Sequence, residues 1–391
     1  MRVLVSTTAG AGHFGPLVPF ARACLAAGHE VVVAAPRSFV APVSAAGFEH
    51  RQFADAPAEM MGLVFGRIPL LSFEKANDLV VSEVFGRLDA QAALPGLVEI
   101  IESWRPDVVL REPCEFGSLV AALAADIPQV TVAIGMTATT DYMVPLVRQP
   151  LAELDALAGL PDGAAAEAML VAPTLTNVPS VLDEARVAGV QQGRPVHRFH
   201  DASLSSEQGA LPDSWGNPSH PLVYVSFGSV TAALGGFETV YSDVVAAFVD
   251  RPVRVLLTTG EGLDPADLAP LPANARAERW WPQSEAMVGC AAVVGHGGFG
   301  TTMAALAAGV PQVIVPLFAS DQLINAEHVE AVGAGIHVGG GPQGMAAVPE
   351  AAARLVAESS YRETARSVAK SMAALPPVAD AVALLERTAS S

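Results

Sequence analysis

A histidine stands inside a glycine-rich loop near the amino terminus. The nine residues from Thr8 onward read Thr-Ala-Gly-Ala-Gly-His-Phe-Gly-Pro and follow a short apolar strand. Gly10, Gly12 and Gly15 have the G-x-G-x-x-G spacing that cradles a dinucleotide pyrophosphate, but that motif gives no role to His13. On a loop at the carboxyl end of a strand, His13 would face a ligand-binding cleft. These residues alone give comparable weight to catalysis by His13, to capping of a backbone group and to binding of NADP.

The end of the second predicted strand bears on the NADP alternative. A dinucleotide site needs a carboxylate there to bind the ribose hydroxyls. The run Val31–Ala35 is instead followed by Pro36 and Arg37. Because an arginine suits a 2'-phosphate, an NADP-dependent oxidoreductase stays a rival interpretation of this loop.

An anion-binding motif lies in the second half of the chain. An apolar strand runs into the segment from His296 to Thr302, which reads His-Gly-Gly-Phe-Gly-Thr-Thr, and then into an alanine-rich helical stretch. Small residues let phosphates approach the backbone, and the N–H groups at the start of a helix donate to them. His296 can add a hydrogen bond, and a positive charge when it is protonated. Thr301 and Thr302 add hydroxyls and are predicted to cap the helix.

Two further motifs flank this anion-binding motif. Before it, Trp280 to Gln283 reads Trp-Trp-Pro-Gln, and a tryptophan ahead of a turn can stack on a flat base. After it, Asp321 and Gln322 offer a carboxylate and an amide suited to sugar hydroxyls. The order along the chain matches the base, the diphosphate and the sugar of a nucleotide sugar.

Apolar strands alternate with helical stretches through both halves of the chain. Runs such as Val31–Ala35 are apolar throughout, as expected for parallel sheets covered on both faces. The predicted fold is α/β, with two Rossmann-like, doubly wound parallel-sheet domains facing across a cleft. The expected domains are residues 1–200 and 221–372, joined by a linker at 201–220 that is rich in small and polar residues. Residues 373–391 are expected to form a C-terminal helix that packs back on the first domain.

Composition argues against several classes of partner. With 22 basic and 40 acidic residues the formal net charge is -18, so the surface would repel a nucleic-acid backbone. We expect no membrane insertion, because no apolar run reaches the ~18 residues of a spanning helix and no secretory signal pattern is recognised. Three cysteines lie far apart, which is typical of reduced thiols, and we expect a cytoplasmic protein.

The motifs around Trp280, His296 and Asp321 resemble the donor signature of the GT-B, family-1 nucleotide-sugar glycosyltransferases. Over nearly its whole length the chain is similar to the bacterial natural-product members, which attach sugars, often deoxysugars, to aglycones such as polyketides and macrolides. The opening loop matches as well, and in that family its histidine, here His13, is the general base. The resemblance therefore favours catalysis by His13 over NADP binding.

The resemblance also implies a role for each donor residue. Trp280 would stack on the nucleobase, while the backbones of Trp281 and Gln283 read its edge. The residues implied for the phosphates and the transferred sugar are Ser229, His296, Gly298, Gly300 and Thr301 for the phosphates, and Asp321 and Gln322 for the sugar. Plant members carry a glutamate that binds the ribose at the position of Ala304.

Transfer to an oxygen nucleophile needs a base, and a group that stabilises the departing diphosphate. His13 suits the first task because imidazole titrates near neutral pH. A carboxylate should orient it; Glu112 is the chosen candidate, with Glu115 and Asp141 as alternatives. The chain has no Asp-x-Asp and no zinc-type spacing, so we expect neither a metal requirement nor a permanently bound cofactor. Single displacement would invert the anomeric centre.

Flexible apolar side chains in the first half would form an acceptor pocket for a hydrophobic aglycone. The candidates are Met60, Phe65, Phe73, Phe85, Met136 and Tyr142. The expected co-substrate is a TDP- or UDP-sugar, and the expected assembly is a monomer or a homodimer. Three alternatives to a transferase stay open: a nucleotide-sugar epimerase of the same fold, the NADP-dependent oxidoreductase, and a non-catalytic auxiliary protein that binds a nucleotide sugar.

Overall fold

The chain forms two compact units, each built around its own sheet. The computed structural model describes residues 1–186, 194–206, 208–234, 237 and 239–390. The first unit comprises Met1–Asn177, Gly189–Asp201 and Pro376–Ser391, and the second comprises Val178–Ala188 and Ala202–Leu375. This division differs from the predicted boundaries at residues 200 and 220. Val178–Ala188 groups with the second unit, and Pro376–Ser391 groups with the first. Residue 207 of the expected linker lies outside the described residues.

Both sheets are parallel throughout, with strand orders β3-β2-β1-β4-β5-β6-β7 and β10-β9-β8-β11-β12-β13. The strands of the first sheet are β1 (Arg2–Ser6), β2 (Glu30–Pro36), β3 (Glu49–Phe53), β4 (Val108–Arg111), β5 (Gln129–Val132), β6 (Thr174–Thr176) and β7 (Val196–Arg198). Those of the second are β8 (Leu222–Ser226), β9 (Arg254–Thr258), β10 (Ala275–Glu278), β11 (Cys290–Gly295), β12 (Gln312–Ile314) and β13 (Gly335–His337). The predicted α/β fold with two doubly wound parallel sheets is confirmed.

Helices connect the strands. In chain order the α-helices of the described residues are α1 (Ala11–Phe14), α2 (Val18–Ala26), α3 (Val40–Ala45), α4 (Ala58–Phe65), α5 (Phe73–Leu79), α6 (Ala90–Trp104), α7 (Phe116–Ala124), α8 (Thr137–Ala158), α9 (Ala164–Val171), α10 (Ser180–Asp183), α11 (Val240–Ala247), α12 (Gln283–Ala286), α13 (Phe299–Ala307), α14 (Ser320–Ala331), α15 (Val348–Ala357), α16 (Ser359–Ala373) and α17 (Ala381–Ala389). None of these helices is both long enough and apolar enough to cross a bilayer.

Each sheet reverses its strand order at one place, and the order decides which loops meet. In the first sheet β1 lies between β2 and β4, and Ser6 pairs with Arg111 at the carboxyl ends of β1 and β4. In the second sheet β8 lies between β9 and β11, and Ser226 pairs with Gly295. Ligand sites of doubly wound sheets form at such switch points, outside the carboxyl ends of the strands. The loop that holds His13 follows β1, and the loop that holds His296 follows β11.

The first sheet is covered on both faces, which explains its apolar central strands. On one face α6, α7 and α8 pack with Leu97, Leu119 and Leu151 fully buried. On the other face α2 and α17 pack together, and Phe20 and Leu385 share one apolar cluster. Each such side chain contributes about 2 kcal/mol of burial free energy. Prolines 376 and 377 separate α16 from α17, so the tail forms two helices.

Helices α5 and α6 are joined without a break by a π-helical segment, Val80–Asp89. The combined helix begins after Ser72, whose hydroxyl accepts a hydrogen bond from the backbone N–H of Lys75 at 3.5 Å. It ends at Arg105, which has a left-handed φ of 51°. Runs of π-helix are rare, and they often lie at functional sites.

Candidate active site

His13 is carried by the short helix α1, directly after the turn that follows β1. Gly10 precedes this helix with a φ of 137°, a conformation that side chains other than glycine rarely adopt. A Cβ atom at Gly10 would lie 3.3 Å from Cδ2 of His13, so the backbone there covers one edge of the imidazole. Gly10 therefore serves the placement of the His13 side chain.

Glu112 lies directly after β4, and its carboxylate is fully buried beside His13. The distance between Nδ1 of His13 and Oε1 of Glu112 is 3.3 Å. The backbone N–H and the hydroxyl of Thr8 donate to Oε1 at 3.2 and 3.0 Å, and the backbone N–H of Cys114 donates to Oε2 at 2.6 Å. Burial alone would raise the pKa of Glu112, but His13 and these N–H donors outweigh burial and lower it. The structure thus brings an ionised carboxylate to His13.

The two alternative carboxylates have other partners. Glu115 caps α7, accepting hydrogen bonds from the backbone N–H of Ser118 and from the hydroxyl of Ser6. Burial raises the pKa of Glu115, in contrast to Glu112. Asp141 lies on α8, where Oδ1 accepts a hydrogen bond from Nη2 of Arg194 at 3.2 Å. Of the three carboxylates considered, Glu112 is the one paired with His13.

Asp89 is an acidic residue near His13 that sequence reasoning missed. It ends the π-helical segment and interacts electrostatically with His13 and Glu112. Burial, the largest effect, raises the pKa of Asp89 to about 6. Nothing in the sequence distinguishes Asp89 from an ordinary solvated carboxylate, because the helical period there does not reveal a π-helix.

Three side chains at this place offer nitrogen, oxygen and sulfur ligands. Single ligand atoms of His13, Glu112 and Cys114 lie within 4.8 Å of one another. Both oxygens of Glu112 already accept hydrogen bonds from the chain, and Sγ of Cys114 lies 3.7 Å from Sδ of Met143. This arrangement is better suited to orienting an imidazole and stabilising its protonated form than to binding a metal ion.

The six candidate acceptor residues occupy different environments. Met60, Phe65 and Phe73 are exposed on α4 and at the start of α5. Met136 is only 1% exposed and belongs to the interior of the first unit. The hydroxyl of Tyr142 donates to Oδ1 of Asp78 at 2.5 Å.

The sixth acceptor candidate, Phe85, packs against the proposed base. Its ring lies 5.3 Å from that of His13, measured between centroids. The sequence predicts that Phe85 lines an acceptor pocket; what the structure shows is a contact of its ring with the imidazole.

In the second unit, His296 follows β11 and is enclosed by glycines. A Cβ atom at Gly298 would lie 2.5 Å from Nε2 of His296, and one at Gly228 would lie 2.8 Å from Cε1. Burial lowers the pKa of His296 to about 4, and its Nδ1 has no hydrogen-bond partner among the described residues. His296 is therefore a neutral hydrogen-bonding group at neutral pH, without the positive charge that protonation would have added.

The helix after this histidine, α13, starts differently from the prediction. Gly298 is the N-cap residue and has no capping side chain, so the prediction that Thr301 and Thr302 cap the helix is wrong. The amide of Gln283 instead donates to the hydroxyl of Thr301 at 3.0 Å, which ties the tryptophan motif to the start of α13. A Cβ atom at Gly300 would meet nothing within 4 Å, so open space lies beside the first turn. Backbone N–H groups at such a helix start attract anions.

The two tryptophans have distinct surroundings. Trp280 is 72% exposed, so its indole is available to stack on a ligand. Trp281 is half-buried, and its indole N–H donates to the backbone carbonyl of Ala210 at 2.9 Å. Trp281 therefore anchors the segment that precedes β8, a role that the sequence did not indicate.

Asp321 and Gln322 lie in the first turn of α14, not on a loop. The buried side-chain oxygen of Gln322 accepts hydrogen bonds from the backbone N–H groups of Leu317 and Phe318, at 2.9 and 3.2 Å. Asn325, which sequence reasoning missed, donates to the carbonyl of Gly297 at 2.8 Å. This contact joins the sugar motif to the loop that contains His296.

Ser229 is exposed, after a glycine with a positive φ at the end of β8. The loop that holds it meets the His296 loop, because Gly228 lies against the imidazole. Together with the contacts of Gln283 and Asn325, this places the three donor motifs side by side within the second unit.

A fold of two doubly wound parallel sheets with these motifs defines a glycosyltransferase of the GT-B class. Residues 22–165 match the N-terminal domain of the erythromycin biosynthesis protein CIII-like family, and residues 243–387 match its C-terminal domain. The chain belongs to this family of bacterial natural-product glycosyltransferases.

Curated relatives extend over nearly the whole chain. An L-demethylnoviosyl transferase of Streptomyces niveus is 31% identical, over 99% of both chains. The elloramycin glycosyltransferase ElmGT of Streptomyces olivaceus is 32% identical, over 98% of this chain and 97% of the relative.

Solved structures show the same fold. The glycosyltransferase SnogD from Streptomyces nogalater superposes with a TM-score of 0.75 and 27% identity, over 100% of this chain and 99% of that chain. The glycosyltransferase SsfS6 of Streptomyces sp. SF2575, complexed with thymidine diphosphate, has a TM-score of 0.73 and 25% identity, over 99% of each chain.

Proposed function

We propose that this glycosyltransferase moves a hexose or deoxysugar from a TDP- or UDP-sugar to a hydroxyl of a hydrophobic natural-product aglycone. The transfer inverts the anomeric carbon, and His13 is the general base. The observation that carries the proposal is the 3.3 Å contact between Nδ1 of His13 and the buried carboxylate of Glu112. A carboxylate in this position selects the imidazole tautomer that has its free lone pair on Nε2.

Proton and electron movements balance in a single displacement. Nε2 of His13 takes the proton of the acceptor hydroxyl as the acceptor oxygen bonds to C1 of the sugar. The bond from C1 to the diphosphate oxygen breaks, and its electron pair leaves with the diphosphate. Glu112 stabilises the imidazolium that forms, because its own pKa is lowered and it stays ionised.

We assign donor binding to the second unit. Trp280 stacks on the base, while His296 and the N–H groups at the start of α13 bind the diphosphate. These neutral donors supply the stabilisation that the leaving diphosphate needs, so we propose that transfer requires no metal ion. The thymidine diphosphate bound to SsfS6 supports a TDP-sugar over a UDP-sugar.

Acceptors of different acidity test the proposal. The protein is incubated with TDP-glucose and either a neutral polycyclic phenol or a nitrophenol that is already ionised at the assay pH. We expect His13→Ala to lower transfer to the neutral phenol by about 1,000-fold, because base catalysis is lost. Transfer to the ionised acceptor needs no base and should fall much less. Equal losses for both acceptors, or full activity with the neutral phenol, would contradict the role of His13.

Incubation with TDP-glucose also distinguishes a transferase from the alternative functions. The glycosidic product should carry the anomeric configuration opposite to that of the donor, which proton NMR couplings report. An isomerised TDP-sugar in the absence of acceptor would indicate an epimerase. Binding of TDP-glucose with no product from any acceptor would indicate an auxiliary protein.

A further inference from the structure

The imidazole of His13 is bounded by three groups of the first unit. Nδ1 faces Glu112 at 3.3 Å, and the backbone of Gly10 covers the Cδ2 edge. The third group is the ring of Phe85, at 5.3 Å between centroids and tilted by 48°. Two of these neighbours follow strands of the sheet, whereas Phe85 comes from the π-helical segment. The contact with Phe85 therefore depends on how that segment is held.

Helix α8 fixes the position of the π-helical segment. Arg87 donates to Glu153 on α8 through Nε and Nη2, at 2.7 and 2.8 Å, and it also pairs with Glu83 of its own segment. Gly86 packs closely against Pro150 on α8, where a Cβ atom at Gly86 would lie 3.0 Å from the proline Cβ. The two residues that follow Phe85, Gly86 and Arg87, thus hold the part of the segment that carries its ring.

The same segment carries a second group that interacts with His13. Asp89 stands four residues after Phe85 and interacts electrostatically with His13, Glu112 and Glu115. Residues four apart lie near the same face of a helical turn. An apolar ring and a carboxyl group from one segment therefore both act on the imidazole.

We infer that Phe85 is a positioning residue for the His13 base, presented to it by the π-helical segment Val80–Asp89. The inference rests on the proposed function, in which His13 takes the acceptor proton. The aromatic ring limits rotation of the imidazole, so that Nδ1 stays toward Glu112 and Nε2 toward the acceptor. A displacement of about 1 Å in a catalytic group can cost 100-fold in rate, so a modest loss of support should be measurable.

Kinetics of four variants test the inference. Phe85→Ala should lower kcat about 30-fold and Phe85→Leu about tenfold, with the KM for the acceptor within about threefold of wild type. Phe85→Tyr keeps the ring and should retain kcat within about threefold. The control is Val84→Ala, a buried neighbour in the same segment, which should also keep kcat within about threefold although it removes core volume. If Phe85→Ala raises only the acceptor KM, Phe85 lines the acceptor site instead and the inference is overturned.

Titration of the imidazole by NMR gives a readout that does not depend on turnover. With nitrogen-15-labelled histidine, the His13 signals are identified by their loss in His13→Gln. In Phe85→Ala we expect an altered titration midpoint and altered tautomer shifts for His13, and in Val84→Ala we expect neither. His13 signals unchanged by Phe85→Ala would overturn the inference. Failure of the proposed function has a different signature, because His13→Ala would then keep its activity with the neutral phenol.

Discussion

Nδ1 of His13 lies 3.3 Å from Oε1 of Glu112, and the carboxylate has no exposed surface. Glu112→Gln keeps the size of the side chain but removes the charge that stabilises a protonated imidazole. We expect kcat to fall about 100-fold, with little change in the affinity for TDP-glucose. Glu115→Gln is the matched control, since that carboxyl is equally buried but caps α7. Similar kinetic losses in both variants would show that burial of a carboxyl, and not its pairing with His13, is what matters.

We expect Asp89 to lower the free energy of unfolding at neutral pH. Because burial raises its pKa to about 6, the stability contributed by the protonated group is present below pH 4 and is lost as the pH rises through 6. Asp89→Asn should therefore raise the free energy of unfolding at pH 7.5 by about 2 kcal/mol, after a discount for partial exposure. Urea unfolding at pH 7.5 and pH 4.5 measures this gain, which should shrink at the lower pH. An equal gain at both values would point to a cause other than titration.

Binding of the donor should not depend on the charge of His296. Its pKa is lowered to about 4, so the imidazole stays neutral as the pH falls from 8 to 6. We expect the Kd for TDP-glucose, measured by calorimetry, to change less than about twofold over that range. TDP-glucose is the suitable probe because its diphosphate has no weakly acidic terminal group. A tenfold gain in affinity toward pH 6 would mean that a protonated histidine binds the diphosphate.

Two glycines at the start of α13 should respond differently to alanine. A Cβ atom at Gly298 would lie 2.5 Å from Nε2 of His296, so Gly298→Ala should destabilise the fold by about 2 kcal/mol. A Cβ atom at Gly300 would meet no protein atom within 4 Å, so Gly300→Ala should leave the Tm unchanged or slightly higher. If the diphosphate occupies that open space, Gly300→Ala will weaken TDP-glucose binding about tenfold. Unchanged affinity would place the diphosphate elsewhere.

Alanine substitutions of the two adjacent tryptophans should have different effects, one on donor affinity and the other on the stability of the fold. Trp280→Ala should lower the affinity for TDP-glucose about tenfold to 100-fold through lost stacking, with an unchanged Tm. Trp281→Ala removes a half-buried ring and the hydrogen bond to Ala210, and should destabilise the fold by about 2 kcal/mol. Thermal melts with and without TDP-glucose measure both effects. A loss of donor stabilisation in the Trp281 variant alone would reverse the two roles.

The apolar central strands could be predicted from the sequence, whereas several edge strands could not. Strands β1, β2 and β8 have mostly apolar centres, because both faces of each sheet are covered. Strand β3 reads Glu-His-Arg-Gln-Phe and β10 reads Ala-Arg-Ala-Glu. Both lie at an edge of their sheet, where polar side chains reach solvent and the hydrophobic pattern that reveals a strand is lost.

Some residues of the candidate site could likewise be predicted from the sequence, and others could not. The donor motifs are short and contiguous, so their residue types could be recognised directly, and Glu112 could be chosen because it follows a strand. Phe85 and Asp89 reach His13 through a π-helical segment, and a sequence does not show where an α-helix widens. The prediction that Thr301 and Thr302 cap α13 is wrong, because both lie within the helix after its N-cap residue, Gly298.

The chain returns to its first unit after completing its second, and this constrains how hybrid enzymes can be assembled. Residues Pro376–Ser391 belong to the first unit, and Leu385 of α17 fills the same apolar cluster as Phe20 of α2. A chimera that takes everything beyond residue 201 from a relative would fit a foreign helix onto that cluster. Under the proposed function, in which the second unit binds the donor, grafting only Val178–Ala188 and Ala202–Leu375 would exchange the sugar-nucleotide preference and leave the apolar cluster of the recipient intact.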